Sequence, residues 1–103
     1  MKQLAFNVED QNLEPAESFG TLIRGSKGGY LHCKFNFLDE DWKRSKKICV
    51  FMNGKQESAI LLKNDECSIP DEVAKQRVIK MYLVGVLDKI TVKTNNYYIR
   101  QVG

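Results

Sequence analysis

The chain has 103 residues, of which 43% are hydrophobic and 28% charged, and these fractions are typical of a folded globular domain. That length supplies one hydrophobic core, so we expect a single domain over residues 1–103. The net charge of +3 is mild but uneven, because acidic residues predominate up to Trp42 and basic residues predominate after it. The two parts could associate head to tail by complementary charge, or both signs could simply decorate a solvated surface.

The three cysteines, Cys33, Cys49 and Cys67, each lie inside an apolar stretch, where a free cysteine behaves as a small hydrophobic residue. There is no Cys-x-x-Cys pair, and the only histidine, His32, cannot complete a zinc site at these spacings. We therefore expect no metal, no cofactor and synthesis in a reducing cytoplasm. The beginning of the chain lacks the pattern of a secretory leader, and no apolar run reaches the roughly 18 residues that span a bilayer. No membrane association is expected.

The first part of the chain alternates between strand and turn patterns. Leu4–Val8 and Tyr30–Phe37 have apolar residues at every second position, which predicts strands with one buried face. Asp10–Ser18 is polar and contains proline, so it predicts a loop, and Phe19–Arg24 predicts a short strand. Gly25–Gly29 matches no phosphate-binding glycine pattern and is interpreted as a hairpin loop.

A second group of residues lies between Leu38 and Lys47. The acidic run before Trp42 suits the start of one helical turn. Trp42 itself is interpreted as the plug of the core, and an exposed partner-binding anchor is the alternative. His32 falls on the polar face of its strand, where an isolated histidine is usually incidental.

The densest basic cluster contains Lys43, Arg44, Lys46 and Lys47. Three carboxylates, Asp39 to Asp41, come directly before it and would repel phosphate, so nucleic-acid binding is not expected. These four cationic residues are the candidate partner-binding site. The alternative is that they form a solvated face.

The second part of the chain contains two strands that are apolar at both parities, Ile48–Met52 and Val78–Val86, as expected when both faces of a strand are covered. Asn53-Gly54 predicts a tight turn, and Pro70 followed by two acids predicts one short helical turn. Gly85 indicates a bulge or a close backbone contact. With further short strands up to Val102, the pattern gives about eight strands at sandwich or barrel spacing and no strand–long helix–strand unit.

Several of these residues resemble a known module. The order is Trp42, the strand Ile48–Phe51, the segment Cys67–Val73, the strand Met81–Val86 and the closing run Ile90–Asn95. This order is similar to the small β-sandwich domains in virion proteins of phages that infect Gram-positive bacteria, in particular the N-terminal domain of baseplate upper proteins. The resemblance implies an all-β, immunoglobulin-like antiparallel β-sandwich of about 7–8 strands, covering roughly residues 35–103.

The resemblance also implies a structural role. We expect a non-enzymatic baseplate, tail or capsid-associated accessory subunit that docks onto other virion subunits or onto itself. Such a subunit is made in the host bacterial cytoplasm and is incorporated into the virion. The alternative is a small phage-encoded inhibitor of a host enzyme or defence complex. The edge strands expected at Leu4–Val8 and Ile99–Val102 favour the first reading, and the basic cluster favours the second. No residue constellation supports catalysis, because the carboxylates at Asp39–Asp41 and Asp65–Glu66 lack a partner acid or base.

Overall fold

Strands dominate the fold, with 55% of residues in strands and 9% in helices. The computed structural model describes all of residues 1–103. Its nine strands and two helices are β1 (Lys2–Glu9), β2 (Asn12–Pro15), β3 (Leu31–Phe37), α1 (Glu40–Arg44), β4 (Lys46–Asn53), β5 (Gln56–Leu61), β6 (Glu66–Ser68), α2 (Asp71–Ala74), β7 (Val78–Leu87), β8 (Ile90–Lys93) and β9 (Tyr97–Arg100). The expectation of a mostly β fold is confirmed.

The strands form two sheets that pack face to face as a sandwich. Sheet I has the strand order β2-β1-β3-β6, and sheet II has the order β5-β4-β7-β8, with β9 also pairing with β7. All neighbours are antiparallel except β1 and β3, which run parallel from Lys2 opposite Leu31 to Val8 opposite Phe37. The expectation of an antiparallel sandwich of about 7–8 strands is therefore wrong in two details: the structure has nine strands, and one pair of neighbouring strands is parallel. Between β2 and β3 the chain contacts the end of sheet II, where Ile23 bridges to Val102. It then returns to sheet I, and β3 runs in the same direction as β1.

The core lies between the inner faces of the two sheets. Period-two alternation brings Leu4, Phe6 and Val8 of β1 to the same side, and each of them is fully buried. The Phe6 ring stacks on that of Phe35 with centroids 5.4 Å apart, and Tyr97 of sheet II meets the Phe6 ring edge-on, also at 5.4 Å. Aromatic contacts therefore join the two sheets.

Trp42 belongs to this core. Its side chain is 1% exposed, its ring stacks on Phe37 at 5.2 Å, and its Nε1–H donates to the carbonyl oxygen of Asp10 at 2.7 Å. The helix that carries it begins at the N-cap Asp39, whose Oδ1 accepts from the Trp42 backbone N–H at 3.1 Å. The core interpretation is confirmed, and the exposed-anchor alternative is wrong.

The loop before Tyr30 differs from expectation in three places. Strand β2 lies inside the expected loop Asp10–Ser18, because Leu13 is buried and its backbone N–H donates to Asn95 Oδ1 at 2.7 Å. Phe19–Arg24 forms no strand, only an isolated bridge from Ile23 to Val102. Gly25–Gly29 lies in the connection between β2 and β3, which are not neighbours in the sheet, so it is not a hairpin loop.

Two predicted glycine positions have the expected physical role. Gly54 has φ +63° in the turn between β4 and β5, where a residue with a Cβ would be strained. Gly85 lies against the Trp42 ring, and a Cβ on Gly85 would be 2.7 Å from Trp42 Cζ3. The helical turn predicted after Pro70 is α2, which is confirmed.

Candidate protein-binding surface

The two central strands of sheet II are apolar on both faces. On the inner face of β4, Cys49 and Phe51 are completely buried. Alternation along the strand places Ile48 and Val50 on the outer face, directly opposite Val84 and Tyr82 of β7. Val50 is only 5% exposed although it is not part of the core between the sheets, and Ile48 is half-buried. The expectation that both faces are covered therefore holds for the inner face and only in part for the outer one.

The outer side of sheet II thus carries a contiguous apolar surface, which we call the apolar face. Leu61 on β5 is 59% exposed, and Ala59 on the same strand is exposed as well. The apolar face consists of Ile48, Val50, Met52, Ala59, Leu61, Tyr82, Val84 and Val86. Contiguous apolar surface of this kind usually marks an interaction site on a globular protein.

The rim of the apolar face is mainly cationic. The same alternation brings Lys46, Lys80, Lys93 and Arg100 to the outer side of sheet II, and Glu57 is the one carboxylate of that side. Charged residues at the edge of an apolar surface orient a partner more than they add affinity. The surface is therefore suited to a partner with an apolar centre and carboxylates around it.

Tyr82 crosses this surface and connects its two rims. Lys93 Nζ lies 4.2 Å from the Tyr82 ring centroid, and the Tyr82 hydroxyl donates to Glu57 Oε2 at 3.2 Å. Desolvation and then the hydrogen bond to Glu57 raise the pKa of Tyr82 above its ordinary value. The neutral phenol is therefore the form that the surface favours.

The outer side of sheet I is polar instead. Gln3, Asn7 and Glu9 of β1 lie there beside His32, Lys34 and Asn36 of β3, and Asn36 Nδ2–H donates to Asn7 Oδ1 at 3.1 Å. His32 Nε2 is 2.8 Å from Glu66 Oε1, and its Nδ1 is 3.0 Å from Ser68 Oγ. These contacts tie β3 to β6 across the open face of the sheet, and His32 lies on the polar face of its strand as predicted.

The four predicted partner-binding residues have different surroundings. Lys43 Nζ lies 3.6 Å from Glu40, while Lys47 Nζ lies 3.4 Å from Asp65 with only 13% of its side chain exposed and also donates to the Lys43 carbonyl at 3.2 Å. Arg44 is exposed on α1, and Lys46 is exposed at one corner of the apolar face. Of the four, only Lys46 joins the surface described above.

The three cysteines meet inside the core. Cys33 of β3 is directly opposite Cys67 of β6, and Cys49 comes from sheet II; all three are free. Hydrogen bonding to Cys67 raises the pKa of Cys33, and burial raises the pKa of Cys49, whereas hydrogen bonds from both lower the pKa of Cys67. No group of three or more His, Cys, Asp or Glu side chains is arranged to hold a metal ion.

An open groove of about 820 Å³ lies between α1 and the β7–β8 hairpin. Its acidic side includes Asp39 and Asp41, and its apolar side includes Leu87 and Ile90. Asp39 already caps α1 and accepts from the Asp10 backbone N–H at 2.7 Å, so this carboxylate is engaged in the fold.

The fold and surface define a sandwich-like β protein with one apolar outer face. No protein-family model matches the chain. A search of curated proteins and a search of solved structures also find no match. No helix is long and apolar enough to cross a membrane.

Proposed function

We propose that this protein is a non-enzymatic interaction module that docks onto another protein through the apolar face. The carrying observation is the outer side of sheet II, where Ile48, Val84 and Leu61 form an apolar centre in which Leu61 is 59% exposed and the other two are half-buried. In a sheet with one solvated face these positions are normally polar, as they are in sheet I. Covering them with a partner removes apolar surface from water, which favours association.

The charges on the rim indicate which kind of partner surface would bind. Four cationic residues and one carboxylate surround the apolar centre, and Glu57 is already hydrogen-bonded to Tyr82. A partner with carboxylates opposite Lys46 and Lys93 would gain favourable contacts, and a partner with a basic rim would be repelled. The proposed partner is therefore a protein surface with an apolar centre and an acidic border.

We infer that the setting is a phage virion, in which the protein is a baseplate, tail or capsid-associated subunit. The resemblance to the immunoglobulin-like modules of baseplate upper proteins supports this inference, together with two packed sheets and a tryptophan buried in the core. The parallel pairing of β1 with β3 is a departure from a purely antiparallel sandwich. The runner-up is an inhibitor that binds a host protein, and the exposed Arg44 beside Lys46 is the feature that favours it.

The test replaces the apolar centre without changing strand propensity. The double variant Ile48→Thr/Val84→Thr introduces two hydroxyls into the apolar face, and threonine remains favourable in a strand. In particles of the encoding phage, purified and analysed by quantitative mass spectrometry, we expect at least about a 10-fold loss of the variant subunit.

The matched control is Ala5→Thr/Asn36→Thr on the outer side of sheet I, which should be incorporated like the unmodified chain. If purified particles do not contain the unmodified chain at all, the virion role is wrong and the host-directed reading replaces it. If both double variants are incorporated normally, the apolar face is not the docking surface.

A further inference from the structure

The open edge of sheet II at β5 differs from every other sheet edge in the molecule. In sheet I, edge strand β2 has four residues and ends at Pro15, and edge strand β6 has only three residues. The edge opposite β5 is divided between two strands of only four residues, β8 and β9, and the chain just after each is already bonded, Asn95 N–H to the Gln11 carbonyl at 3.0 Å and Val102 N–H to the Leu22 carbonyl at 2.9 Å. Strand β5 is six residues long and pairs only with β4. Such an edge is a template for pairing with another strand.

The backbone of β5 shows which groups are free. Leu62 N–H donates to the Lys47 carbonyl at 2.9 Å, so the residues of even number in this strand point their backbone groups toward β4. The N–H and C=O groups of Glu57, Ala59 and Leu61 therefore point away from β4, toward solvent. The next residue of that parity, Lys63, exchanges backbone hydrogen bonds with Glu66 and is closed to a further strand.

We propose that a second copy of this chain pairs with β5, antiparallel and with a twofold axis at Ala59. In this register Ala59 lies opposite Ala59 of the second copy, and Glu57 lies opposite Leu61 of the second copy. All three open residues of each copy then exchange both of their hydrogen bonds. Shifting the register by two residues in one direction would place Glu57 opposite Lys63, whose backbone is already bonded to Glu66. Shifting it in the other direction would place Leu61 opposite Lys55, which lies in the turn before β5.

The side chains suit this register. Alanine at the axis leaves the two backbones free to approach. Lys63 lies diagonally across from Glu57 of the second copy, within reach of a long side chain, and the twofold axis creates this pair twice. The strand contains no proline and no inward charge that would prevent pairing.

The dimer would join the two apolar faces into one surface twice as wide, because Ala59 and Leu61 belong both to β5 and to the apolar face. The pairing uses the edge of sheet II, whereas the proposed docking uses its outer side. The dimer can therefore be absent while docking through the apolar face persists, and docking can be absent while the dimer persists.

Cysteine cross-linking tests the register directly. Residues in a hydrogen-bonded antiparallel pair have Cα atoms about 5.5 Å apart, within the range of a disulfide. With Ala59→Cys we expect a dimer on a non-reducing gel after mild oxidation of the folded protein, since the three native cysteines are buried. The matched control is Leu61→Cys, which places the two thiols roughly 14 Å apart along the strand and should remain monomeric.

Sedimentation velocity over a concentration series supplies the second measurement. Ala59→Pro removes an N–H that makes no bond within the monomer and should weaken dimerisation at least about 10-fold with the fold intact by circular dichroism. Glu57→Lys or Lys63→Glu alone should weaken the dimer through like charges, and the two together should restore it. A chain that stays monomeric at millimolar concentration, or a Leu61→Cys variant that cross-links as well as Ala59→Cys, overturns the proposal.

Discussion

The outer sides of the two sheets show what a strand sequence does and does not determine. In sheet I, β1 and β3 alternate between buried apolar residues and more exposed residues that are polar apart from Ala5. In sheet II, β4 and β7 bury one parity in the core and carry apolar residues at the other parity too. Both sheets form the same core, so the extra apolar residues of sheet II are not needed to make it. The difference indicates that sheet II has a second surface to cover.

The largest expected effect concerns the core that both sheets share. Trp42→Ala removes a ring packed on Phe37 and Gly85, and we expect it to lower the free energy of unfolding by about 3–5 kcal/mol. Urea denaturation measures this change. An unfolding midpoint unchanged by the substitution would contradict the packing described for Trp42.

A smaller decrease in the free energy of unfolding is expected for a substitution at the contact between β7 and α1. Gly85→Ala places a methyl group 2.7 Å from Trp42 Cζ3 and 3.0 Å from Val92 Cγ1, so one side chain must move. We expect a destabilisation of about 1–3 kcal/mol, measured by thermal unfolding. In the double variant with Trp42→Ala, the cost of Gly85→Ala should largely disappear.

One substitution on the outer side of each sheet tests whether only sheet II exposes apolar surface. Leu61→Lys on sheet II and Asn36→Lys on sheet I both lie at exposed positions, so each should change stability by no more than about 0.5 kcal/mol. Only Leu61→Lys removes apolar surface. We therefore expect it alone to reduce the fluorescence of an added hydrophobic dye, and equal dye binding by both variants would refute the contrast.

The smallest effect is the titration of Tyr82. The raised pKa favours the neutral phenol in the folded protein, so its contribution to stability is present below the ordinary value of 10.0 and is lost as pH rises through the raised pKa. Glu57→Gln removes the charged acceptor and should lower the pKa of Tyr82 toward 10.0. Ultraviolet titration near pH 10 follows this change, with Tyr82→Phe identifying the transition.

Much of this architecture could be predicted from periodicity, but its least local parts could not. The strand at Tyr30–Phe37, the turn at Gly54, the helix after Pro70 and the core position of Trp42 follow from local patterns and are found in the structure. Strand β2 does not follow from the local sequence, because its four residues become a strand only through the packing of Leu13 and the hydrogen bond that the Leu13 backbone N–H donates to Asn95 Oδ1. The expectation that Leu4–Val8 is an edge strand is wrong, because β1 lies between β2 and β3.

The candidate site was only partly predictable for the same reason. The basic residues from Lys43 to Lys47 stand out in the sequence, but ion pairs to Glu40 and Asp65 engage two of them. The apolar face had a signal, namely that Ile48–Met52 and Val78–Val86 are apolar at both parities. To recognise this signal, one must know whether the rest of the chain can cover both faces of these two strands. That depends on the tertiary structure and cannot be read from the local pattern.

The parallel pairing of β1 with β3 has a consequence for how the chain folds. Sheet II contains two tight hairpins, β4–β5 through Gly54 and β7–β8 through Asp88, which close short loops. Sheet I instead pairs the first strand with residues that follow a long crossover, and such non-local pairing is slow to form. We expect pulse-labelled hydrogen exchange during refolding to protect the amides of β4 and β5 before those of β1, and protection in the reverse order would contradict this sequence of events. During synthesis, β1 would remain without its parallel partner until β3 has been made. The hairpins of sheet II would form first, and sheet I would be completed after them.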